Sequence, residues 1–261
     1  MKNKTVIIGL AIVLLAAPFV RTVILKMFPP KELNTLVVGT NAEYPPFAYI
    51  ENNEIVGFDV DLVKEVCTRL KKDIQILDMP FESLIPAGSI GKVQLIAAGM
   101  THTKERAKKV LFTKPYLVGD QLMIVSLSDS KVDIDSLEDL NHKNVIVNKG
   151  YTADLFISSV KNSVKMNLIR LNCPTDGFMA LSSNRADAFI TSQSNIAQFF
   201  KTNTGEDQKY KIAPIIDKNT NDAYSLIVSK KHSYLLDEIE KTIEDMKKDG
   251  TITKLKDKWS L

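Results

Sequence analysis

The chain has 261 residues with 34 basic and 31 acidic side chains, a formal net charge of +3. Four of the basic residues and none of the acidic ones lie in residues 1–28, so the rest carries 30 basic and 31 acidic residues, a net charge of −1. A near-neutral body argues against a nucleic-acid partner, because such proteins need a basic surface that neutralises phosphates. With 44% hydrophobic and 25% charged residues, the composition is that of a globular protein with one or two domains.

The N-terminal segment, residues 1–28, has the pattern of an export signal. A short basic start precedes an uninterrupted apolar run of fifteen residues from Val6 to Val20, as in a secretory signal peptide. The run is shorter than the roughly 18 to 20 residues of a spanning helix, although extension to Leu25 would reach that length. We expect a periplasmic or other extracytoplasmic protein, with this segment a cleaved signal or an anchor in the inner membrane. A buried core helix is the third interpretation.

Beyond the Pro29–Pro30 linker, apolar strand-like runs alternate with amphipathic helical patterns. The runs that predict strands lie at 35–40, 74–76, 95–98, 122–125, 145–147, 167–171, 187–191 and 224–228. The helical patterns lie at 59–70, with Asp59 as the expected cap, and at 81–85, 136–140, 176–181 and 233–248, with further helices starting near 103 and 152 and a last one carrying 255 and 259. This alternation predicts βαβ units arranged in two α/β lobes.

Sequence motifs for nucleotide binding, catalysis and metal binding are missing. Gly88 and Gly91 are separated by two residues where a phosphate-binding loop needs four, and no GxGxxG, HExxH or GxSxG string occurs. Cys67 and Cys173 belong to no CxxC pair and no Cys/His cluster, so we expect two buried free thiols, with one disulfide as the alternative. We therefore expect no catalytic residue, no cofactor and no metal.

The segment from Val38 to Phe47, VGTNAEYPPF, is a predicted strand that leads directly into a rigid turn. Two consecutive prolines fix φ and hold Tyr44 and Phe47 with little entropy left to lose. Ligands of open α/β sheets bind at the carboxyl ends of strands, which favours an aromatic platform in a binding site. On these residues alone, a purely structural turn is the alternative.

The segment AGMTHTKER places Arg106 in the first turn of a helix that Thr103 is positioned to cap. A cation at a helix N-terminus opposes the helix dipole, an arrangement that is mildly unfavourable unless an anion lies nearby. A bidentate pair between arginine and a carboxylate contributes about 1.5 to 3 kcal/mol. Arg106 is therefore the candidate anchor for a carboxylate, and a solvated surface arginine is the alternative.

Five strings together resemble a known family: GTNAEYPPF, IVGFDVDLVKEV, FESLIP, AAGMTHTKERAKKVLFTKPY and NRADAFI. Their order and spacing are similar to those of the extracytoplasmic solute-binding proteins of family 3, which serve polar amino-acid importers of the ATP-binding-cassette type. The resemblance runs from about Leu36 to the last helix. It implies a type II periplasmic-binding-protein-like α/β fold, with two mixed sheets flanked by helices and two crossing strands between lobes. Lobe 1 would comprise residues 34–119 and 222–261, and lobe 2 residues 120–221.

The resemblance also implies a carboxylate site. Arg106 stands where the family's arginine clamps the ligand α-carboxylate, with Thr101 and the backbone of Gly99 beside it. Thr152, after the predicted turn at Gly150, matches a second-lobe position that adds hydrogen bonds to the carboxylate. A helix N-terminus at that point favours an anion.

The ligand side chain is expected against aromatic rings. Tyr44 and Phe81 stand where the family places such rings, and Asn41 occupies a position that reads the side chain or the amino group. Glu43 and Asn41 beside the rings favour a basic or amide side chain, such as that of arginine, lysine, histidine or glutamine.

Ser192 departs from the family's pattern. Five positions after the aspartate of its DA motif, here Asp187, the family usually carries an acid that pairs with the ligand ammonium. A buried ammonium without a countercharge is costly, and a serine hydroxyl alone does not compensate for it. Glu43 is the preferred replacement. A ligand without a free α-amino group, or an acid further along the chain that turns inward, are the alternatives.

The expected function is to bind a polar amino acid outside the cytoplasmic membrane and to deliver it to the permease subunits of an importer. The ligand would favour the closed state, in which both lobes contact it. We expect a monomer that meets the membrane only through its N-terminal segment. The alternatives are an enzyme similar to cyclohexadienyl dehydratases, which Ser192 disfavours because those enzymes carry an acid there, and a membrane-tethered ligand-sensing module.

Overall fold

The structure, a computed structural model, describes residues 33–130, 133–160, 162–216 and 221–261. The predictions made for residues 1–28 lie outside these ranges. Within them, every helix is too short or too polar to span a lipid bilayer. The strands and helices described below all belong to one unit, Thr35–Leu261.

The strands and helices alternate along most of this unit. In chain order the strands are β1 (Thr35–Thr40), β2 (Glu43–Tyr44), β3 (Ala48–Glu51), β4 (Glu54–Val56), β5 (Asp73–Asp78), β6 (Leu95–Ile96), β7 (Leu111–Phe112), β8 (Leu117–Leu127), β9 (Asn144–Asn148), β10 (Asn167–Leu171), β11 (Ala188–Ser192), β12 (Tyr210–Pro214), β13 (Asn221–Tyr224) and β14 (Ile227–Val228). The α-helices are α1 (Phe58–Arg69), α2 (Phe81–Ile90), α3 (Lys104–Ala107), α4 (Thr152–Val160), α5 (Pro174–Ser182), α6 (Gln193–Thr202), α7 (Leu236–Lys248) and α8 (Thr251–Trp259). Short 3-10 turns lie at Glu138–Leu140, Asp207–Lys209 and Lys230–Leu235.

Two mixed sheets form the framework. In the first sheet the order is β5-β1-β6-β14-β7, with β1 parallel to β5 and β6 and with β14 antiparallel to β6 and β7. In the second sheet the order is β10-β9-β11-β8-β12, parallel from β10 to β11 and antiparallel around β8. The predicted two-lobed α/β fold with two mixed sheets is confirmed.

Two strands connect the sheets. The long strand β8 leads from the first sheet into the second, and β13 returns along its first half as an antiparallel partner. Ile227 of β14 then pairs back into the first sheet, opposite Ile96 and Phe112. The first sheet therefore contains strands from both ends of the chain, whereas the bounds predicted for the lobes, 34–119 with 222–261 and 120–221, stay a prediction.

The second sheet has an apolar layer on each face. Successive side chains of a strand point to opposite faces, and accordingly Val145 and Val147 pack in one cluster with Ile157 of α4, while Ile146 packs in another with Phe178 of α5. These side chains are all buried. Each contributes about 1.5 to 3 kcal/mol through its burial. Together they hold the second sheet between its two helical layers and so position the carboxyl ends of β9 and β11.

Two expectations about local structure need correction. Asp59 does not cap α1: Gly57 is the cap residue, and the Asp59 side chain is buried inside the fold, where it accepts hydrogen bonds from Gly99 N and the Tyr116 hydroxyl. The single strand predicted at 224–228 is divided between two sheets. Cys67 and Cys173 are free thiols, of which Cys67 is buried and Cys173 is half-buried.

Candidate functional site

A small cavity lies where β9 and β11 end, at the carboxyl edge of the second sheet. Residues from both lobes line it: Tyr44, Phe81, Gly99, Leu122, Asn148, Tyr151, Thr152, Ala153, Ile190, Thr191, Ser192 and Asn195. Its volume is about 20 Å³, which is room for one water molecule. An amino acid therefore requires the walls to move apart.

Arg106 is buried against Phe81, which lines this cavity, and its hydrogen bonds join the two lobes. Its Nη1 donates to Thr101 O at 2.7 Å, and its Nη2 donates to Gly150 O at 2.9 Å. The guanidinium carbon lies 5.5 Å from the centroid of the Phe81 ring, a cation–π contact. As predicted, Thr103 caps the short helix, with its Oγ1 accepting from Arg106 N at 3.2 Å. Backbone and ring thus orient a planar, bidentate donor of the kind that recognises carboxylates.

Tyr151 closes the cleft, and the sequence reasoning missed it. Its ring centroid lies 4.2 Å from that of Phe81 and 5.4 Å from that of Tyr44. Its hydroxyl donates to Asn41 Oδ1 at 3.0 Å, across the cleft. Burial raises the pKa of Tyr151 well above its usual value, so the hydroxyl stays protonated and serves as a donor. The available signal was an aromatic residue between Gly150 and the start of a predicted helix.

Gly99 brings the backbone against the Tyr44 ring. Its φ is +53°, in the left-handed region, and a Cβ there would lie 2.6 Å from Tyr44 Cε1. Its amide donates to the Asp59 carboxylate, which is fully buried. Burial raises the pKa of Asp59 to about 6, opposed by its hydrogen bonds with Tyr116 and Gly99. A glycine is required here because no side chain fits between the turn and the ring.

A buried carboxylate, Asp120, lies behind the cavity wall and was also missed. It accepts from Ser194 N at 2.9 Å and Ser194 Oγ at 2.6 Å, and from the Tyr224 hydroxyl. The Tyr44 hydroxyl bonds to that of Tyr224 at 2.8 Å and lies 3.3 Å from Ser192 Oγ. The strand predicted at 122–125 begins five residues earlier, at Leu117, and so carries this acid between the sheets.

Asn148, at the end of β9, contributes a buried amide to the same wall. It is 2% exposed, and its Nδ2 has no hydrogen-bond partner among the residues that the structure describes. A buried donor without an acceptor costs about 1 to 3 kcal/mol. An acceptor that enters the cavity would remove that cost.

A second cavity adjoins the first and is acidic. It shares Phe81 with the first and is lined by Asn41, Glu43, Asp78, Met79, Pro80, Phe81, Glu82 and Asn172. The exposed Glu43 carboxylate lies 3.5 Å from Asn41 Nδ2, and Asp78 accepts from Ala42 N at 2.8 Å. Lys149 from the second lobe pairs with Glu82 at 2.8 Å and lowers the pKa of that carboxyl. Three carboxylates therefore line this space, and one of them, that of Glu82, is paired with a lysine.

The predicted site residues fall into three groups. Tyr44, Phe81, Gly99, Thr152 and Ser192 line the first cavity. Arg106 and Thr101 bond to each other next to Phe81, and Asn41 and Glu43 line the second cavity. Glu43 and Ser192 thus belong to different cavities. Among the described residues, no cluster of three or more His, Cys, Asp or Glu side chains is arranged to hold a metal ion.

A strand-end cavity between two α/β lobes, with a buried arginine beside it, is the arrangement of an extracellular solute-binding protein. The chain belongs to the bacterial extracellular solute-binding proteins, family 3, whose family model matches residues 36–261. Members of this family are extracellular, in agreement with the predicted export. The choice between a cleaved signal and an anchor stays a prediction.

Individual relatives are similar over most of the chain. The arginine-binding extracellular protein ArtP of Bacillus subtilis (strain 168) is 36% identical over 224 residues, 86% of this chain and 85% of that protein. An ancestral arginine-binding protein, solved bound to arginine, has a TM-score of 0.78 at 36% identity and covers 87% of this chain and 98% of that one. An ancestral amino-acid-binding protein described as a precursor of cyclohexadienyl dehydratase has a TM-score of 0.76 at 30% identity, with coverages of 87% and 95%. Each of the three is named as a binding protein.

Proposed function

We propose that this protein binds a cationic amino acid of the arginine type in the cleft and delivers it to the permease subunits of an ATP-binding-cassette importer. The observation that carries the proposal is the position of Phe81. Its ring forms one wall of the first cavity, lies under the Arg106 guanidinium and forms one wall of the acidic cavity. One ring therefore separates a site for an anion from a site for a cation, as the two ends of such a ligand require.

The α-carboxylate binds at the Arg106 end. The guanidinium is oriented by the carbonyls of Thr101 and Gly150, and exchange of one carbonyl for a carboxylate gives a charge-assisted pair. Asn148 Nδ2, which is buried and has no partner within the described part of the chain, supplies a further donor. Thr152 begins α4, where the helix N-terminus favours negative charge.

The cationic side chain extends past Phe81 into the acidic cavity. Glu43 and Asp78 offer carboxylate oxygens there, and Asn41 offers an amide. A guanidinium matches such carboxylates bidentately and stacks on aromatic faces. The names of the relatives ArtP and the ancestral protein, both arginine-binding, support the same class of ligand.

Binding must displace Tyr151, because the closed cavity has room for only about one water molecule. The contacts that close it, from Tyr151 to Asn41 and from Arg106 to Gly150, join opposite lobes. A ligand that offers both lobes better partners shifts the population towards a closed, loaded state. The permease would then distinguish loaded from empty protein by this closure.

A thermal-shift panel tests the proposal. Residues 29–261 are screened with arginine, lysine, histidine, glutamine, glutamate and leucine, and with agmatine, which keeps the guanidinium and lacks the carboxylate. A ligand at 100 times its Kd adds about 2.7 kcal/mol of stability, which raises Tm by about 5 to 11 °C for a protein of this size. Arginine is expected to give the largest shift and agmatine almost none. The proposal would be contradicted if glutamate gave the largest rise in Tm, or if no ligand of the panel raised Tm.

A further inference from the structure

Five oxygen atoms behind the cavity wall form a closed ring of hydrogen-bonding contacts. Asp120 Oδ2 accepts from the Tyr224 hydroxyl on one side and from Ser194 Oγ, at 2.6 Å, on the other. From Tyr224 the ring continues to the Tyr44 hydroxyl at 2.8 Å, and from Ser194 to Ser192 Oγ at 3.1 Å. The Tyr44 and Ser192 oxygens close it at 3.3 Å. We call these five side chains the oxygen ring.

The oxygen ring has one proton too few. Four hydroxyl groups supply four protons, whereas the ring has five contacts, and an ionised carboxylate only accepts. Because Tyr224 and Ser194 donate to Asp120, the protons of Tyr44 and Ser192 serve the other three contacts, and one of those three lacks a proton. When Tyr44 donates to Tyr224 and Ser192 donates to Ser194, the contact that lacks a proton is the longest one, between Tyr44 and Ser192. In that arrangement both oxygens can accept a hydrogen bond from a donor outside the ring.

The contact between Tyr44 and Ser192 is the part of the oxygen ring that reaches the ligand space. Tyr44 and Ser192 line the first cavity, whereas Asp120 does not. When Tyr44 donates to Tyr224 and Ser192 donates to Ser194, both protons lie along chains that end on the Asp120 carboxylate. Such chains polarise each hydroxyl in turn, so both oxygens present enhanced negative charge to the cavity.

Among the described residues, no basic side chain pairs with the Asp120 carboxylate. Asp120 is 7% exposed, and its partners there are the backbone and hydroxyl donors of Ser194 and the hydroxyl of Tyr224. A buried charge costs several kcal/mol unless an opposite charge accompanies it. The position therefore suits a site that a cation enters.

We propose that the oxygen ring binds the α-ammonium group of the ligand, with Asp120 as a positioning residue that supplies the countercharge through Tyr44 and Ser192. The inference rests on the proposed function, and it answers the absence of an acid at Ser192. An ammonium has three donors, two of which would go to the Tyr44 and Ser192 oxygens. Tyr44 follows the first sheet and Ser192 ends a strand of the second, so the ammonium would also join the two lobes.

The test compares two ligands on two proteins by isothermal titration calorimetry. The ligands are arginine and 5-guanidinopentanoate, which is arginine without its α-amino group. The proteins are the wild type and Asp120→Asn. The wild type is expected to prefer arginine by about tenfold or more, as for loss of one charge-assisted hydrogen bond. Asp120→Asn should weaken arginine binding by a similar factor and leave the affinity for the deaminated ligand within about twofold.

Two further variants keep the test decisive. Ser192→Asp combined with Asp120→Asn returns an acid to the cavity wall and should restore the preference for arginine. If Asp120→Asn fails to fold, as judged by circular dichroism, Ser192→Ala replaces it, since it removes one acceptor and leaves the carboxylate in place. Ser192→Ala should lower arginine affinity severalfold and spare the deaminated ligand.

The outcomes separate this inference from the function on which it rests. If the wild type binds arginine and Asp120→Asn binds it with the same affinity, the role of the oxygen ring is overturned and the proposed function stands. The same holds for Ser192→Ala if that variant replaces Asp120→Asn. Equal losses for both ligands would also overturn it, because the variant would then act on the fold or on the guanidinium. A wild type that binds no amino acid would overturn the proposed function and this inference together.

Discussion

Asp59 should make the stability of this protein depend on pH, because it is a fully buried carboxyl group. Desolvation raises its pKa to about 6, although the Tyr116 hydroxyl and Gly99 N donate to it and partly offset the effect. The unfolded chain should titrate near 3.8. Because the folded pKa is the higher, the stabilising contribution of the protonated form is complete below pH 3.8 and is lost as the pH rises through 6.

The size of the effect follows from the two pKa values. A difference of about two units corresponds to about 3 kcal/mol, so the contribution of Asp59 to the free energy of unfolding should fall by about that amount between pH 4 and pH 7. Asp59→Asn should abolish this part of the pH dependence. The amide can accept from Gly99 N and donate to the Tyr116 oxygen, so the variant should match the wild type near pH 4 and exceed it near pH 7 by about 3 kcal/mol.

Urea denaturation followed by circular dichroism, at pH values from 4 to 8, measures this difference. Asp73→Asn, at an exposed position at the start of β5, is the matched control and should leave the profile unchanged. Parallel profiles for the wild type and Asp59→Asn would refute the reasoning, because they would mean that Asp59 titrates alike in the folded and unfolded chains.

Three other substitutions have distinct expected results. Gly99→Ala places a Cβ 2.6 Å from Tyr44 Cε1 at a φ of +53°. It should lower the free energy of unfolding by about 1 to 3 kcal/mol and should also lower the affinity for arginine. An unchanged affinity in calorimetry would contradict the assigned position of Tyr44. Gly177→Ala places its Cβ 2.6 Å from Phe189 Cζ. It should lower stability in urea by a similar amount and leave the affinity for arginine unchanged. Full stability would show that the apolar layer around Phe178 and Phe189 is loosely packed. Glu43→Gln should weaken arginine binding severalfold and leave glutamine binding unchanged, and the exposed Glu54→Gln is the control. Equal effects on both ligands would argue that Glu43 does not contact the charged side chain of arginine.

Much of the framework followed from local sequence pattern. The strands Thr35–Thr40 and Asn167–Leu171 lie where the apolar runs predicted them, and α4 begins at Thr152 as expected. The pattern failed where polar residues form a helix: α6, Gln193–Thr202, has only Asn195 and Ile196 buried. Its apolar side chains, Ile196, Phe199 and Phe200, recur at helical spacing and pack in one cluster, but this repeat covers little more than one turn and was overlooked among the polar residues around it.

Some of the residues that line the two cavities were predicted, because each of them belongs to a short local motif. Asp120 and Tyr151 were not, since their roles depend on contacts between distant parts of the chain. Tyr224, which binds Asp120, lies 104 residues away in sequence, and Asn41 lies 110 residues from Tyr151. Asp59 was misassigned as a cap for a related reason. Its position in the first turn of α1 fits a cap, but the fold turns its carboxylate inward to Gly99 N.

The central claim is that a cationic amino acid binds in this cleft with its carboxylate on Arg106. Isothermal titration of the wild type and Arg106→Ala with arginine tests it most directly. The wild type is predicted to bind at one site, and the variant to lose about 2 kcal/mol or more, which is about a thirtyfold rise in Kd. Near wild-type affinity in the Arg106→Ala variant, or no binding by the wild type, would contradict the claim.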